Sequence, residues 1–171
     1  QSLSGVTYGN GLWLAVGANG KVLKSVDQGV TWTEQATGTT NNLLGVAYGG
    51  GRFVVVGNNR TAVVSNDGGA SWQVASGVPS DIPTNLAGVA WTGTRYVAVT
   101  RETTGTSSNA KAVLWSTDGS TWTAVTLPTT PSNLMRVVAA NGLVVASGGY
   151  AAYAPDYNTL FVSTDDGSTW T

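Results

Sequence analysis

The residues best placed to do chemistry are the carboxylates, because the other usual agents are missing. The chain has no histidine and no cysteine. Ser-His-Asp chemistry, histidine proton shuttles, thiol nucleophiles and the common nitrogen and sulfur metal sites therefore have no members here. Hydrolysis of a glycosidic bond needs only two carboxyl groups, about 5 to 9.5 Å apart according to its stereochemical outcome. Asp81, Glu102 and Asp156 are the acids expected on a ligand-facing side, and Glu34 and Glu102 are the only glutamates. Neither glutamate sits in a recognisable catalytic motif.

Four other aspartates fall in a recurring frame: Ser25-Val-Asp27-Gln-Gly29-Val-Thr-Trp32, Ser65-Asn-Asp67-Gly-Gly69-Ala-Ser-Trp72, Ser116-Thr-Asp118-Gly119-Ser-Thr-Trp122 and Ser163-Thr-Asp165-Asp-Gly167-Ser-Thr-Trp170. A turn explains each part. The aspartate accepts backbone N–H groups a few residues ahead. The glycine supplies a conformation that a side chain forbids, and the tryptophan lays apolar surface over the turn. The frame thus predicts a hairpin clamp, with Asp27, Asp67, Asp118, Asp165 and the four tryptophans as structural residues.

Each frame belongs to a longer repeat. Upstream lie Leu3-Ser-Gly-Val-Thr-Tyr8, Leu43-Leu-Gly-Val-Ala-Tyr48, Leu86-Ala-Gly-Val-Ala-Trp91 and Leu134-Met-Arg-Val-Val-Ala139, each followed by a small turn and a second apolar run. Ser25, Ser65, Ser116 and Ser163 are spaced by 40, 51 and 47 residues, the period of a four-stranded propeller blade. Val54-Val55-Val56 is apolar on successive positions, so both faces of its sheet must be covered, as when blades stack about an axis. The expected fold is all-β, a β-propeller of four-stranded antiparallel blades over 1–36, 41–77, 84–127 and 132–171. The last blade is expected to lack most of its outer strand, as in an excerpt of a longer propeller or a chain completed by neighbours.

At the aspartate frames the chain resembles the Asp-box, or BNR, repeat family, and in style its bacterial extracellular repeat proteins. The family includes sialidases, other glycoside hydrolases, sortilin-type receptors and a photosystem II assembly factor. The resemblance implies that the boxes join the third and fourth strands of each blade, on the side away from the usual ligand site. The arginine triad, Tyr-Glu pair and Arg-Ile-Pro element of sialidases are not matched. Arg52 and Arg95 share one repeat position with Leu12 and Leu143.

Loops between second and third strands then lie on the ligand side, and those of the third and fourth blades are the longest. They offer Arg101, Glu102, Tyr150, Tyr153, Asp156 and Tyr157 as candidate binding residues, the tyrosines giving flat apolar area with a polar tip. Asn59-Arg-Thr61 matches a glycosylation acceptor, and the Asp165-Asp166 pair hints at a cation without the spaced ligands of a calcium loop.

Composition narrows the function. Eight basic and nine acidic residues, without a charge run, give no phosphate-binding face for nucleic acid. No apolar run approaches the length of about 20 residues that a membrane helix needs. Charged residues make up 10% of the chain, against about 25% ordinarily, and this poverty with abundant Thr, Ser, Asn and Gly resembles secreted bacterial surface proteins. The leading expectation is a non-catalytic extracellular structural or adhesive module that binds protein or glycan partners or self-assembles, with no cofactor. A propeller segment of a glycoside hydrolase is the alternative, and an assembly-factor or chaperone propeller the third.

Overall fold

The computed structural model describes residues 2–101, 111–129, 133–149 and 158–171. Among these residues every regular element but one short 3-10 turn is a strand. The first sheet is built from β1 (Leu3–Gly9), β2 (Leu12–Gly17), β3 (Val22–Ser25) and β4 (Thr33–Gln35), in that order. The second runs β5 (Leu43–Gly49), β6 (Arg52–Gly57), β7 (Ala62–Ser65) and β8 (Gln73–Val74). The third runs β9 (Asn85–Trp91), β10 (Tyr96–Arg101), β11 (Val113–Ser116) and β12 (Thr123–Val125). The fourth has three named strands, β13 (Leu134–Ala140), β14 (Leu143–Gly149) and β15 (Asn158–Ser163). Neighbours within each sheet are antiparallel, and the architecture is a β-propeller.

Repetition extends below the level of strands. Each first strand slips register near its start, between Leu3 and Gly5, between Leu43 and Gly45, where Leu86 and Gly88 face Thr100 and Val99, and between Leu134 and Arg136. A bulge at one repeated place bends every first strand alike. The first hairpin turns as Asn10-Gly11, Gly50-Gly51 and Asn141-Gly142 in three of the blades, all with positive φ, which suits the twist of the strands they join.

The sheets meet through their first strands, β1 beside β5, β5 beside β9 and β9 beside β13. Close approach at the axis requires glycine. A Cβ placed on Gly45 would lie 3.0 Å from the Cα of Gly88, so a side chain there would force two blades apart. Farther out, apolar residues of adjoining blades interlock. Leu12, Leu14 and Val16 pack with Val46, Phe53 and Val55 in one cluster. Val54 and Val56 pack with Val89, Tyr96 and Leu114 in the next, and Val97 and Val99 with Val137, Val144 and Phe161 in the third. Val54, Val55 and Val56 are all fully buried, because odd and even side chains of β6 face different neighbouring blades.

Polar ties reinforce two of these joints. Arg52 donates through Nη1 to the Thr117 carbonyl at 3.4 Å. Arg95 lies 4.6 Å over the Trp115 ring and donates to Ser168 Oγ at 3.0 Å. Each arginine thus reaches the β3–β4-type turn of the following blade, a role that Leu12 and Leu143 cannot take.

Candidate functional site

The aspartate frames occupy the turns after β3, β7, β11 and β15. Asp27 Oδ1 accepts from Ser25 Oγ at 2.8 Å and from the Thr31 amide at 2.9 Å, and its Oδ2 accepts the Thr31 hydroxyl at 2.6 Å. Ser25 Oγ in turn accepts the Gly29 amide at 2.8 Å. Asp67 takes the Ser65 hydroxyl and the Ser71 amide, and Asp165 the Ser163 hydroxyl and the Thr169 amide and hydroxyl. Asp118, in the copy shortened by one residue, accepts the Ser120 and Thr121 amides at 2.8 and 2.9 Å.

These bonds need the ionised carboxylate. The Thr31 and Thr169 hydroxyls, then their amides, hold Asp27 and Asp165 down to about 2. The Ser71 hydroxyl drives Asp67 lower still. For Asp118 partial burial works upward, but the Thr121 and Ser120 amides and the Ser116 hydroxyl together outweigh it and the net shift is down.

Tryptophan closes the turn by donating its indole N–H to the frame glycine. Trp32 reaches Gly29 O at 3.0 Å, Trp122 reaches Gly119 O at 2.9 Å and Trp170 reaches Gly167 O at 3.0 Å. Trp72 differs, for its Nε1 is buried without a partner. The burial of the rings also differs: Trp122 and Trp170 are buried in the clusters between blades, whereas Trp32 is 39% exposed.

The opposite end of the blades carries the pocket. Since Leu3 pairs with Gly17 and Leu43 with Gly57, the starts of the first strands lie at the end away from the aspartate turns. There Leu3, Ser4, Leu44, Ala87 and Met135 line a cavity of about 330 Å³ together with Arg101 and Arg136. A second hollow of about 190 Å³ continues along the first strands past Gly5, Gly45, Gly88 and Val137. Residues from all four blades therefore converge on the axis, and the lining of the first cavity holds two guanidinium groups and no carboxylate among the described residues.

Arg101 was expected in a loop and stands instead as the last residue of β10, where its backbone pairs with Asn85 of β9 and bridges to Asn133. Its Nε is buried with no hydrogen-bond partner. Arg136, exposed, donates through Nη1 to the neighbouring Met135 carbonyl at 3.1 Å. Sequence reasoning passed over Arg136 as a repeat residue, although a signal was present: it stands where the other copies have Gly5, Gly45 and Gly88.

The remaining candidates separate. Glu102, Tyr150, Tyr153, Asp156 and Tyr157 lie outside the described residues. Asp81 is paired with Lys111, whose hydrogen bond lowers its pKa, and Glu34 is paired with Lys21. Asn59 Nδ2 donates to Asn41 Oδ1 at 2.9 Å, and Thr61 Oγ1 accepts from Asn41, so the acceptor pattern is occupied by contacts within the second blade. Asp166 accepts the Thr94 hydroxyl at 2.9 Å, whereas the Asp165 carboxylate is used within its own turn. Among the described residues no group of three or more Asp or Glu side chains gathers as a metal site would require.

Comparison with known proteins matches residues 2–171 to the sequence family described as DUF6242 beta propeller domain. No curated protein matches the sequence. Among solved structures the chain is similar to YCF48 from Cyanidioschyzon merolae, with a TM-score of 0.71 at 18% identity, covering 99% of this chain and 55% of that one. It is similar to a structure described as YCF48 bound to D1 peptide, with a TM-score of 0.70 at 16% identity, covering 99% and 53%. It is also similar to the GH74 enzyme of Niastella koreensis, with a TM-score of 0.65 at 18% identity, covering 99% of this chain and 23% of the enzyme. The chain thus spans about half the length of the YCF48 structures and less than a quarter of the enzyme, and at these identities the likeness is one of fold.

Proposed function

This chain belongs to the DUF6242 beta propeller domain family, and from that premise we propose that it is a non-catalytic binding module whose axial pocket takes an anionic group of a protein partner. The observation that carries this reading is the pairing of Arg101 with Arg136 in a partly apolar cavity at the convergence of four blades. A guanidinium whose Nε is buried without a partner is a donor in want of an acceptor, and a carboxylate matches its planar fork. Leu3, Leu44 and Met135 around it would take an apolar side chain beside that carboxylate. The free C-terminus of a peptide joins both features. A similar propeller is described as bound to a peptide, which supports the class of partner and nothing finer.

An extracellular or cell-surface setting, a structural or adhesive role, a glycan partner and association between copies belong to the same proposal. The likeness to a GH74 enzyme keeps a hydrolase segment as the second reading. Against it, the acids of the described residues are engaged: four clamp turns, Asp81 and Glu34 are ion-paired, and Asp166 accepts a threonine hydroxyl.

The test is capture of random peptides on the immobilised chain. A pool with free C-terminal carboxylates should be retained over the same pool amidated, and the double variant Arg101→Gln, Arg136→Gln should weaken retention by about tenfold or more, the effect of losing a charge-assisted bond. Equal retention of both pools, or no change in the double variant, would refute the reading.

A further inference from the structure

The dipeptide Asn-Gly stands three times in the chain, at Asn10-Gly11, Asn19-Gly20 and Asn141-Gly142. It is open to one uncatalysed reaction, attack of a backbone nitrogen on the preceding side-chain amide, because glycine has no Cβ to obstruct the approach. Backbone conformation does not separate the three copies. The asparagines have φ of 51, 58 and 52°, and the glycines 76, 70 and 77°. What differs is the surroundings of the attacking nitrogen.

Asn19-Gly20 lies between β2 and β3 and is held against the connection to the second blade. The Gly20 amide donates to the Asn41 carbonyl at 2.9 Å, and the Asn19 amide to Asn42 Oδ1 at 3.0 Å. Gly20 is buried, and a Cβ placed on it would lie 1.9 Å from the Thr39 carbonyl oxygen. Turning this peptide toward the Asn19 side chain would break the bond to Asn41 in a place with no room to move.

Asn10-Gly11 and Asn141-Gly142 are instead the central residues of hairpin turns. All four are exposed, and a Cβ on Gly11 or Gly142 would meet nothing within 4 Å. Among the described residues no carbonyl accepts the amide of either glycine. This openness belongs to the turn and not to the first or last position of its blade. Gly50-Gly51 makes the same turn in the second blade, which has a blade on each side, and it too is exposed, with nothing within 4 Å of a Cβ on Gly51.

We propose that Asn10 and Asn141 are modification sites, at which the side-chain amide is lost spontaneously and an acid takes its place, while the fold keeps Asn19 intact. The Gly11 or Gly142 nitrogen gives its proton to base and bonds to the side-chain carbonyl carbon. The carbon–nitrogen bond of the side-chain amide breaks, ammonia leaves, and a cyclic imide remains. Water opens the imide at either carbonyl, giving aspartate or isoaspartate, and is the sole co-reactant. Each product adds a negative charge to a chain whose net charge is -1. Isoaspartate also lengthens the backbone of a two-residue turn, whose length sets the register of its strands. At Asn10 the carboxylate replaces an amide that rests on Gly68, where a Cβ would meet Asn10 Nδ2 at 3.0 Å. The new charge there arrives beside the Asp67 clamp of the second blade.

The reaction does not involve the axial arginines, so its test and peptide capture fail separately. The whole chain is kept in mildly alkaline buffer beside a sample unfolded in urea, and both are followed by isoelectric focusing and peptide mass mapping. The folded chain should gain forms more acidic by one and then two charges, mapped to Asn10 and Asn141. Asn19 should react slower by about tenfold or more, the factor for a step that awaits local opening of a bonded segment. In urea the three sites should react at similar rates. Asn10→Gly and Asn141→Gly place at each turn the residue that the second blade already carries as Gly50, and the double variant should lose both acidic forms. Equal rates at Asn19 and Asn10 in the folded chain would overturn the proposal. So would retention of all three amides while the unfolded chain reacts, or acidic forms undiminished in the double variant.

Discussion

Trp122 and Trp32 make the same hydrogen bond in the same turn, and replacing each by alanine separates what a tryptophan does for its turn from what it does between blades. The bond itself contributes about 1 kcal/mol in both. Exposure is 4% for Trp122 and 39% for Trp32. Over roughly 200 Å² of surface, at about 25 cal/mol per Å², that difference amounts to about 2 kcal/mol. Trp122 also packs with Tyr96 and Leu114, so its removal opens a cavity, whereas the space left by Trp32 is open to water. The expected losses are about 4–5 kcal/mol for Trp122→Ala, within the range for buried aromatic truncation, and about 1–2 kcal/mol for Trp32→Ala. Urea unfolding followed by far-ultraviolet circular dichroism measures both. Trp122→Phe, which keeps most of the ring volume, should fall between them and covers the case in which the alanine variant does not fold. Equal losses for the two alanine variants would refute the assignment of Trp122 to the joint and confine both rings to clamping turns.

Acid should weaken the same turns. The native pKa of Asp27 and Asp165 is about 2 against an ordinary value of 3.8, so the unfolded chain binds more protons between those values. The clamps' contribution is therefore full above 3.8 and lost as pH falls through about 2; urea midpoints at pH 6 and pH 2.5 should differ in that direction, and an unchanged midpoint would contradict it. Tyr96→Phe should cost about 1–2 kcal/mol, because the buried hydroxyl donates to the carbonyls of Gly49 and Arg52 in the preceding blade. Phe53 fills the same register in the second blade, so the ring shape is already accepted there and a thermal melt reads the lost bond alone.

The pocket was far less legible than the turns. Arg101 was expected as the first residue of a long insertion, and it lines the axial cavity from the end of a strand instead. Arg136 was quoted only as part of a repeat, and its departure from three glycines was the usable sign. Ser4, Leu44, Ala87 and Met135 carried no sign at all. They are small or apolar residues of first strands far apart in sequence, and nothing in their spacing reveals that a common axis gathers them.

What the sequence by itself determined is local. A Ser-x-Asp frame with its glycine and tryptophan closes its own turn by hydrogen bonds within five residues, and four such turns at blade-length spacing predict the propeller before any long-range contact is known. Tertiary structure decided which of the four tryptophans is covered, which carboxylates are engaged elsewhere, and that two arginines from different blades face one cavity. Those outcomes depend on how blades rotate about the axis. Rotation is set by the glycine contacts and side-chain volumes between sheets, which pair residues some forty positions apart and leave no pattern in any single stretch of chain.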